Sequence, residues 1–329
     1  PKHLRTDPRL NRSSRMSILV VGSVALDSVE TPFGKADRVL GGSATFFSSS
    51  ASLFAPVRVV GVIGDDYPIG KLDFLRDRGV DLDGVEQAEG ESFFWAGRYH
   101  YDLNSRDTLE TRLGVFADFH PKIPDHFRDS PMVFLGNIDP TLQLDVLDQV
   151  ATPRLVAADT MNFWIESKRA ELLELLKRVD ILMVNDSEAR ELADTPSLLD
   201  AARWIMDHGP TYVVVKKGEH GAVLYARDWM FFAPGYPLER VFDPTGAGDA
   251  FAGGFMGSLA ADEAWDGENH AALRRAVIYG SATGSFAVED FSVDRFRALE
   301  MSEVEARVAH FRSMTAFEHE LTARTAEGA

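Results

Sequence analysis

Short runs of branched apolar residues recur along this chain, and a longer amphipathic stretch follows most of them. That alternation restricts the fold more than any other feature. ILVVGSVAL (18–26), VRVVGVIG (57–64), PMVFLGNI (131–138), RLVAAD (154–159), ILMVND (181–186) and TYVVVKKG (211–218) read as strands. IGKLDFLRDRG (69–79, closed by Gly79), LQLDVLDQV, KRAELLELLKRV, SEARELA and LLDAARWIMDHG read as helices between them. A strand apolar at nearly every position needs cover on both faces, and intervening helices supply it. The expected class is therefore α/β, with a mostly parallel sheet flanked by helices. Residues 29–40 and about 92–116 break the rhythm: aromatic and β-branched residues interleave with polar ones. They read as antiparallel strands outside the main sheet, either a small β-sheet lid or an ordinary hairpin insertion.

Charge and cysteine content narrow the function. Lys and Arg total 34 against 51 Asp and Glu, giving a net charge of −17. Such a surface repels phosphate backbones and anionic lipid, so neither nucleic acid nor a membrane is an expected partner. An anionic ligand would need a local device, such as a helix N-terminus or a few placed cations. The chain has no cysteine, which excludes disulfides, thiolate zinc sites and cysteine nucleophiles and suits a reducing compartment. The first 16 residues carry basic charge but no apolar core, so they read as a flexible arm and not as a secretion signal. The folded part is expected over 17–300, with a peripheral helix over 301–329, and the cytoplasm is the expected location.

The chemistry concentrates in ERVFDPTGAGDAFAGGFMGSLA, residues 239–260. A short strand is expected to end at Asp243, and a helix to start near Asp249. Between them Gly246 and Gly248 permit backbone conformations that a β-carbon would forbid. Successive N–H groups then converge at a helix N-terminus, where the dipole adds partial positive charge. That arrangement suits a phosphoryl group in transit. Asp249 at the helix mouth reads in two ways: a helix cap, or a general base for a substrate hydroxyl. The small residues Ala250, Ala252, Gly253, Gly254 and Gly257 favour the second, although they would also allow close helix packing.

DPTGAGDAFAGGF strongly resembles the C-terminal signature of the PfkB carbohydrate kinases, the ribokinase-like family, and the resemblance runs from about residue 17 to 297. It implies a Rossmann-like α/β domain with a β lid that closes over the substrate. It also implies ATP-dependent transfer to a sugar or nucleoside hydroxyl, with Asp249 as base and the amides of Gly246, Ala247 and Gly248 as anion hole. VLGGSATFFSSSAS (39–52) resembles the family's N-terminal glycine pair, so Gly41, Gly42 and Ser43 are expected at the acceptor. The family's Asn is absent there, and Phe46 and Phe47 stand in that neighbourhood. Asp27 matches a family aspartate that binds sugar hydroxyls, a task suited to a carboxylate that accepts two hydrogen bonds. A turn aspartate would look the same. Asn104, in the lid, joins the expected acceptor contacts.

Asn185 and Glu188 resemble the family's N-x-x-E pair, which helps organise Mg²⁺ and the ATP phosphates, partly through water. The same residues also read as a helix cap with an acidic first turn. Lys217, Gly218 and Gly221 resemble the segment that contacts the nucleotide phosphates and ribose. Gly280 resembles part of the adenine border, with helix packing an equal alternative. Asp243 and Thr245 match positions that bind a monovalent cation such as K⁺ in some members. DTMNFW (159–164) departs from the D-P-N-x-R of many fructokinase-like members, and the lid carries Arg98, Arg106 and Arg112. A sugar-phosphate acceptor is thus an alternative, as is a non-catalytic nucleotide-binding regulator on the same fold. The family also implies a homodimer through the lid. No G-x-G-x-x-G turn follows the first strand, and no Walker A, H-E-x-x-H or G-x-S-x-G motif is present. Dehydrogenase, P-loop, zincin and serine-hydrolase chemistry therefore have no support.

Overall fold

The computed structural model describes residues 16–267 and 269–317. Its strands, in chain order, are β1 (Ile18–Val21), β2 (Ala25–Thr31), β3 (Gly34–Gly41), β4 (Val57–Ile63), β5 (Asp81–Gln87), β6 (Phe94–Tyr99), β7 (Arg106–Arg112), β8 (Met132–Leu135), β9 (Leu155–Asp159), β10 (Ile181–Asn185), β11 (Tyr212–Lys216), β12 (Ala222–Tyr225) and β13 (Met230–Ala233). The helices are α1 (Ser43–Ala51), α2 (Asp73–Asp77), α3 (Pro140–Gln149), α4 (Asn162–Ser167), α5 (Arg169–Leu176), α6 (Asp186–Ala193), α7 (Leu198–Asp207), α8 (Ala247–Ala261), α9 (His270–Ala287), α10 (Asp294–Ala298) and α11 (Met301–Thr315).

Nine strands form the main sheet in the order β13-β12-β11-β10-β9-β8-β1-β4-β5. From β11 to β5 every neighbouring pair is parallel, and β12 and β13 extend the sheet antiparallel. Alternation along β1 shows why the apolar runs are continuous. Ile18 and Val20 enter one cluster with Phe46, Phe47 and Phe255, while Leu19 and Val21 enter another with Val146, Leu172 and Ile205. Every strand from β12 across to β4 thus serves two cores, and the edge strands β5 and β13 serve one. Phe47 of α1 stacks on Phe134 of β8, centroids 4.4 Å apart, and clamps the first helix to the sheet.

A second sheet of four strands, ordered β3-β2-β6-β7, stands apart as the expected small β sheet. It is not wholly antiparallel: β2 and β6 run parallel, because the chain returns to the main sheet as β4 and β5 before it supplies β6. The expected strand 18–26 divides as well. It leaves the main sheet at Gly22, where Ser23 is fixed to Ser43 by reciprocal bonds: Ser43 N–H donates to Ser23 Oγ at 2.9 Å and Ser23 N–H to Ser43 Oγ at 3.1 Å. The expected strand ending at Asp243 is absent. Phe242 N–H instead bonds Val288 O at 2.8 Å, and no ladder forms. The helix expected over 69–79 shortens to a 3₁₀ turn (Ile69–Leu72) followed by α2, with Gly79 at φ +84° ending it. The expected arm lies outside the described residues except for Met16. The C-terminal helix is α11, and the rest of that stretch beyond 317 is also outside them. No helix among the described residues is long and apolar enough to cross a membrane.

Candidate active site

The chain leaves β1 in one direction to build β4 and β5, then returns to build β8 through β11 on the other side. Strand order therefore reverses around β1, and the carboxyl ends of the strands beside such a reversal form a natural ligand crevice. Asp159, Asn185 and Lys216 are the last residues of β9, β10 and β11. Asn185 and Lys216 are register partners, and Asp159 pairs with Met183 one step further back.

The first turn of α8 faces the same region. Gly246 is its N-cap, at φ +73°, and a β-carbon there would lie 2.2 Å from the Phe46 ring. Both the left-handed backbone and the close approach demand glycine. The helix begins at Ala247, two residues before the expected start, so Asp249 lies inside the first turn and is not the cap. Its carboxylate accepts no hydrogen bond among the described residues. The N–H groups of Gly246, Gly248 and Asp249 likewise find no acceptor among them, while Ala247 N–H makes a long 3.3 Å bond to Pro244 O. Three unpaired amides and a free carboxylate therefore share one helix mouth. Burial pushes Asp249 up to about 7, with repulsion from Asp159 adding and Lys216 opposing.

Asp27 stands opposite on β2. A β-carbon on Gly41 would lie 2.1 Å from its Oδ2, so the glycine leaves the carboxylate its place. Gly42, at φ +94°, closes on Ser23 O. Burial raises Asp27 to about 8, and the charges of Asp243 and Asp249 push the same way against the Gly42 N–H. The buried hydroxyls of Thr45 and Tyr67 face each other in this region. Asp243 is itself raised by burial, although its oxygens accept from Thr245 N at 2.8 Å and Ser292 N at 3.2 Å.

Beside the sheet edge, Asn185 and Glu188 form a reciprocal cap on α6: Glu188 N–H donates to Asn185 Oδ1 at 2.8 Å and Asn185 N–H to Glu188 Oε2 at 2.7 Å. Glu188 is raised to about 7 by burial and by Asp159, with Lys216 pulling it down. Lys216 Nζ bonds Asp159 Oδ2 at 2.8 Å.

The pfkB family carbohydrate kinase model matches residues 27–296, a span that encloses both Asp27 and the α8 turn. The chain belongs to this family. The match makes it an ATP-dependent kinase of the carbohydrate and nucleoside class. A cytidine kinase of Thermococcus kodakarensis is 32% identical over 246 residues, covering 73% of this chain and 87% of the relative. Two solved structures share the fold. One is the Burkholderia thailandensis nucleoside kinase in complex with ADP-inosine, with TM-score 0.72 at 20% identity over 94% of this chain and 100% of that one. The other is a fructokinase double mutant of Vibrio cholerae O395 bound to fructose, ADP and potassium ion, with TM-score 0.73 at 21% identity over 90% and 100%.

The other residues expected in this kinase's site divide by position. Ser43 Oγ accepts from Ser23 N–H and so helps to hold the β1–β2 junction. Asn104 sits at the lid's β6–β7 turn with its Oδ1 2.5 Å from a β-carbon built on Gly218, which puts it against the β11–β12 turn. Gly218 and Gly221 have φ +55° and +86°, as a tight turn between β11 and β12 requires. Gly280 packs α9 against α8, where a β-carbon would meet Phe251 O at 2.9 Å, so helix packing accounts for it. Lys217 is half-buried and outside the cluster; its neighbour Lys216 is the lysine inside it. Sequence reasoning missed Lys216, and it weighed Asp159 only as part of a departing motif. Their position at strand ends was the available signal. It also missed the bond from Thr245 Oγ1 to Tyr99 OH at 3.2 Å, which ties the lid strand β6 to the turn before α8.

Proposed function

We propose that this kinase transfers the γ-phosphoryl group of ATP to a hydroxyl of a nucleoside, with free sugars as the broader acceptor class. The single observation that carries the mechanism is the helix mouth itself, where unpaired amides of Gly246 and Gly248 flank an unpaired Asp249 carboxylate. Asp249 takes the proton as the hydroxyl oxygen bonds to phosphorus and the bond to the ADP oxygen breaks. The amides and the α8 dipole hold the charge that gathers on the phosphoryl oxygens. Ala247 joins them by turning its long bond away from Pro244. Asp27, with the buried Thr45 and Tyr67 hydroxyls near it, receives the acceptor's hydroxyls. The lid strands close from above, exclude water and hold the acceptor in line.

Asp159, Glu188 and Asp249 surround one ammonium, and that excess of carboxylate fits a divalent cation. Asn185 and Glu188 would hold Mg²⁺ through water, and the ion would neutralise phosphate charge. Asp243 has no cationic partner among the described residues and, with Thr245, would take K⁺. The exposed lid strand β7, with Leu109 outward, supports a lid-to-lid homodimer. The relationship to a cytidine kinase favours a nucleoside over a sugar phosphate.

ADP formation measured across cytidine, other nucleosides, ribose, fructose and ribose 1-phosphate tests this reading, with the fastest turnover expected on a nucleoside. Asp249→Asn should lower kcat roughly a thousandfold while MgADP binding stays near wild type. Turnover close to wild type in that variant removes the base. A silent panel with bound ATP turns the case toward a non-catalytic regulator.

A further inference from the structure

The mechanism above leaves one buried charge without a task. Lys216 closes β11, flush with Asn185 on β10, and its ammonium reaches Asp159 Oδ2 at 2.8 Å. The two side chains are 16% and 7% exposed. An ammonium has three N–H donors, and the bond to Asp159 is the only one it makes among the described residues. A pair kept for stability alone can generally be replaced by apolar side chains of similar size, whereas one with open donors beside a crevice has something left to bind.

The position of those donors is defined by α8. A β-carbon on Gly248 would lie 3.0 Å from Lys216 Nζ, so the ammonium sits against the first turn, beside an unpaired amide. Gly248 is helical without a left-handed φ, so space and not backbone freedom is its reason to lack a side chain: a larger residue would displace the cation. The charged groups around Lys216 are Asp159 from β9, Glu188 from α6 and Asp249 from α8, and Arg106 of the lid acts on Glu188 in turn.

We propose that Lys216 is a cation of the anion pocket, held at the mouth of α8 by Asp159 as its positioning residue, and that it stabilises the phosphoryl group in transit. This rests on the phosphoryl-transfer reading. The physical case is one of timing. A cation fixed before the reaction where negative charge develops lowers the barrier without reorganising, so it acts more on the transition state than on bound nucleotide.

The test uses the full chain with cytidine, MgADP, and MgADP plus aluminium fluoride, a mimic of the phosphoryl group in flight. Lys216→Met, Lys216→Arg and the double variant Lys216→Met/Asp159→Asn are compared with wild type by calorimetry, melting temperature and kinetics. In Lys216→Met the tightening of MgADP by aluminium fluoride should drop at least about tenfold, with MgADP alone within about threefold. Its kcat should fall about a hundredfold with the cytidine KM within about threefold, and Lys216→Arg should recover part of both losses. The double variant removes both members of the pair, so it should melt close to wild type yet remain as slow as Lys216→Met. Recovery of kcat and of aluminium fluoride binding in the double variant would overturn the proposal, because Lys216 would then only neutralise Asp159. Should Lys216→Met not fold, the double variant alone makes that comparison. A wild-type protein that transfers to no acceptor and binds MgADP no tighter with aluminium fluoride removes the transfer reading itself, before any variant is made.

Discussion

The two sheets of this molecule are buried to different extents. In the main sheet every residue of β8 and β9 is buried, and each strand packs into apolar clusters on both faces. In the four-stranded sheet, six of the seven residues of β7 are exposed, while Leu26 of β2, Leu40 of β3 and Phe94 of β6 are buried in one cluster shared with the main sheet. A short set of polar contacts adds to that packing in fixing the smaller sheet to the body. Arg38 of β3 pairs with Asp66 at 2.5 Å, Gly64 N–H bonds Ser92 Oγ at 2.9 Å, and Thr245 bonds Tyr99. Burial on both faces holds the main sheet strongly, whereas the outer strand of the lid is solvated and its polar ties are individually weak. The body can therefore hold a reacting geometry while the lid stays adjustable, as substrate entry and closure require.

The largest effect should come from the body's core. Phe134 is fully buried and stacked on Phe47, and Phe134→Ala should cost about 3–5 kcal/mol in denaturant unfolding. Leu109 of β7 is 53% exposed, and Leu109→Ala should change stability by no more than about 0.5 kcal/mol. Comparable losses from the two substitutions would break the contrast and give the lid a packed face that the chain alone does not have.

The same contrast explains what could be read from the sequence. The buried strands were legible because their apolar runs are long and the cores on both faces leave no polar positions. The break at Gly22 was not, since ILVVGSVAL stays apolar as it passes from one sheet to the other. β5 and β13 escaped notice: DLDGVEQ and MFFA are edge strands, partly exposed, with weak patterning. The α8 turn was legible from its glycines, of which Gly246, at φ +73°, is the one the backbone geometry demands. The choice between Lys216 and Lys217 was not, because adjacent lysines differ only in which one ends the strand and points into the crevice. Asn185 and Glu188 supported two readings, and the cap is formed; the position of Glu188 beside Asp159 and Lys216 leaves it able to do both.

The seam between the sheets supplies a prediction of intermediate size. Asp27, Asp249 and Glu188 are raised to about 8, 7 and 7, well above the ordinary carboxyl range. Between about pH 4 and 8 the folded protein therefore binds more protons than the unfolded chain. The associated stability is full below the ordinary carboxyl values and is lost as pH rises through the folded ones. The melting temperature of the ligand-free protein should fall by several degrees from pH 5.5 to 8.5. Asp27→Asn should flatten that decline. An unchanged slope in the variant would assign the decline to the overall net charge of −17 and not to the crowded carboxylates.

The smallest effect tests whether the lid's polar contacts matter to closure. Thr245 Oγ1 donates to Tyr99 OH at 3.2 Å, and Tyr99 is only 8% exposed, so Tyr99→Phe preserves the ring and its packing but deprives Thr245 of its acceptor. A neutral hydrogen bond of this kind contributes about 0.5–1.5 kcal/mol. If that energy favours the closed lid, acceptor KM should rise roughly twofold to tenfold while kcat changes little, since the helix mouth is untouched. Unfolding midpoints should shift by less than for Phe134→Ala, because one polar contact is lost and no cavity is made. A fall in kcat at constant KM would mean that Tyr99 positions the turn before α8 and not the lid, and the division of labour between the two sheets would then run through Thr245 instead of around it.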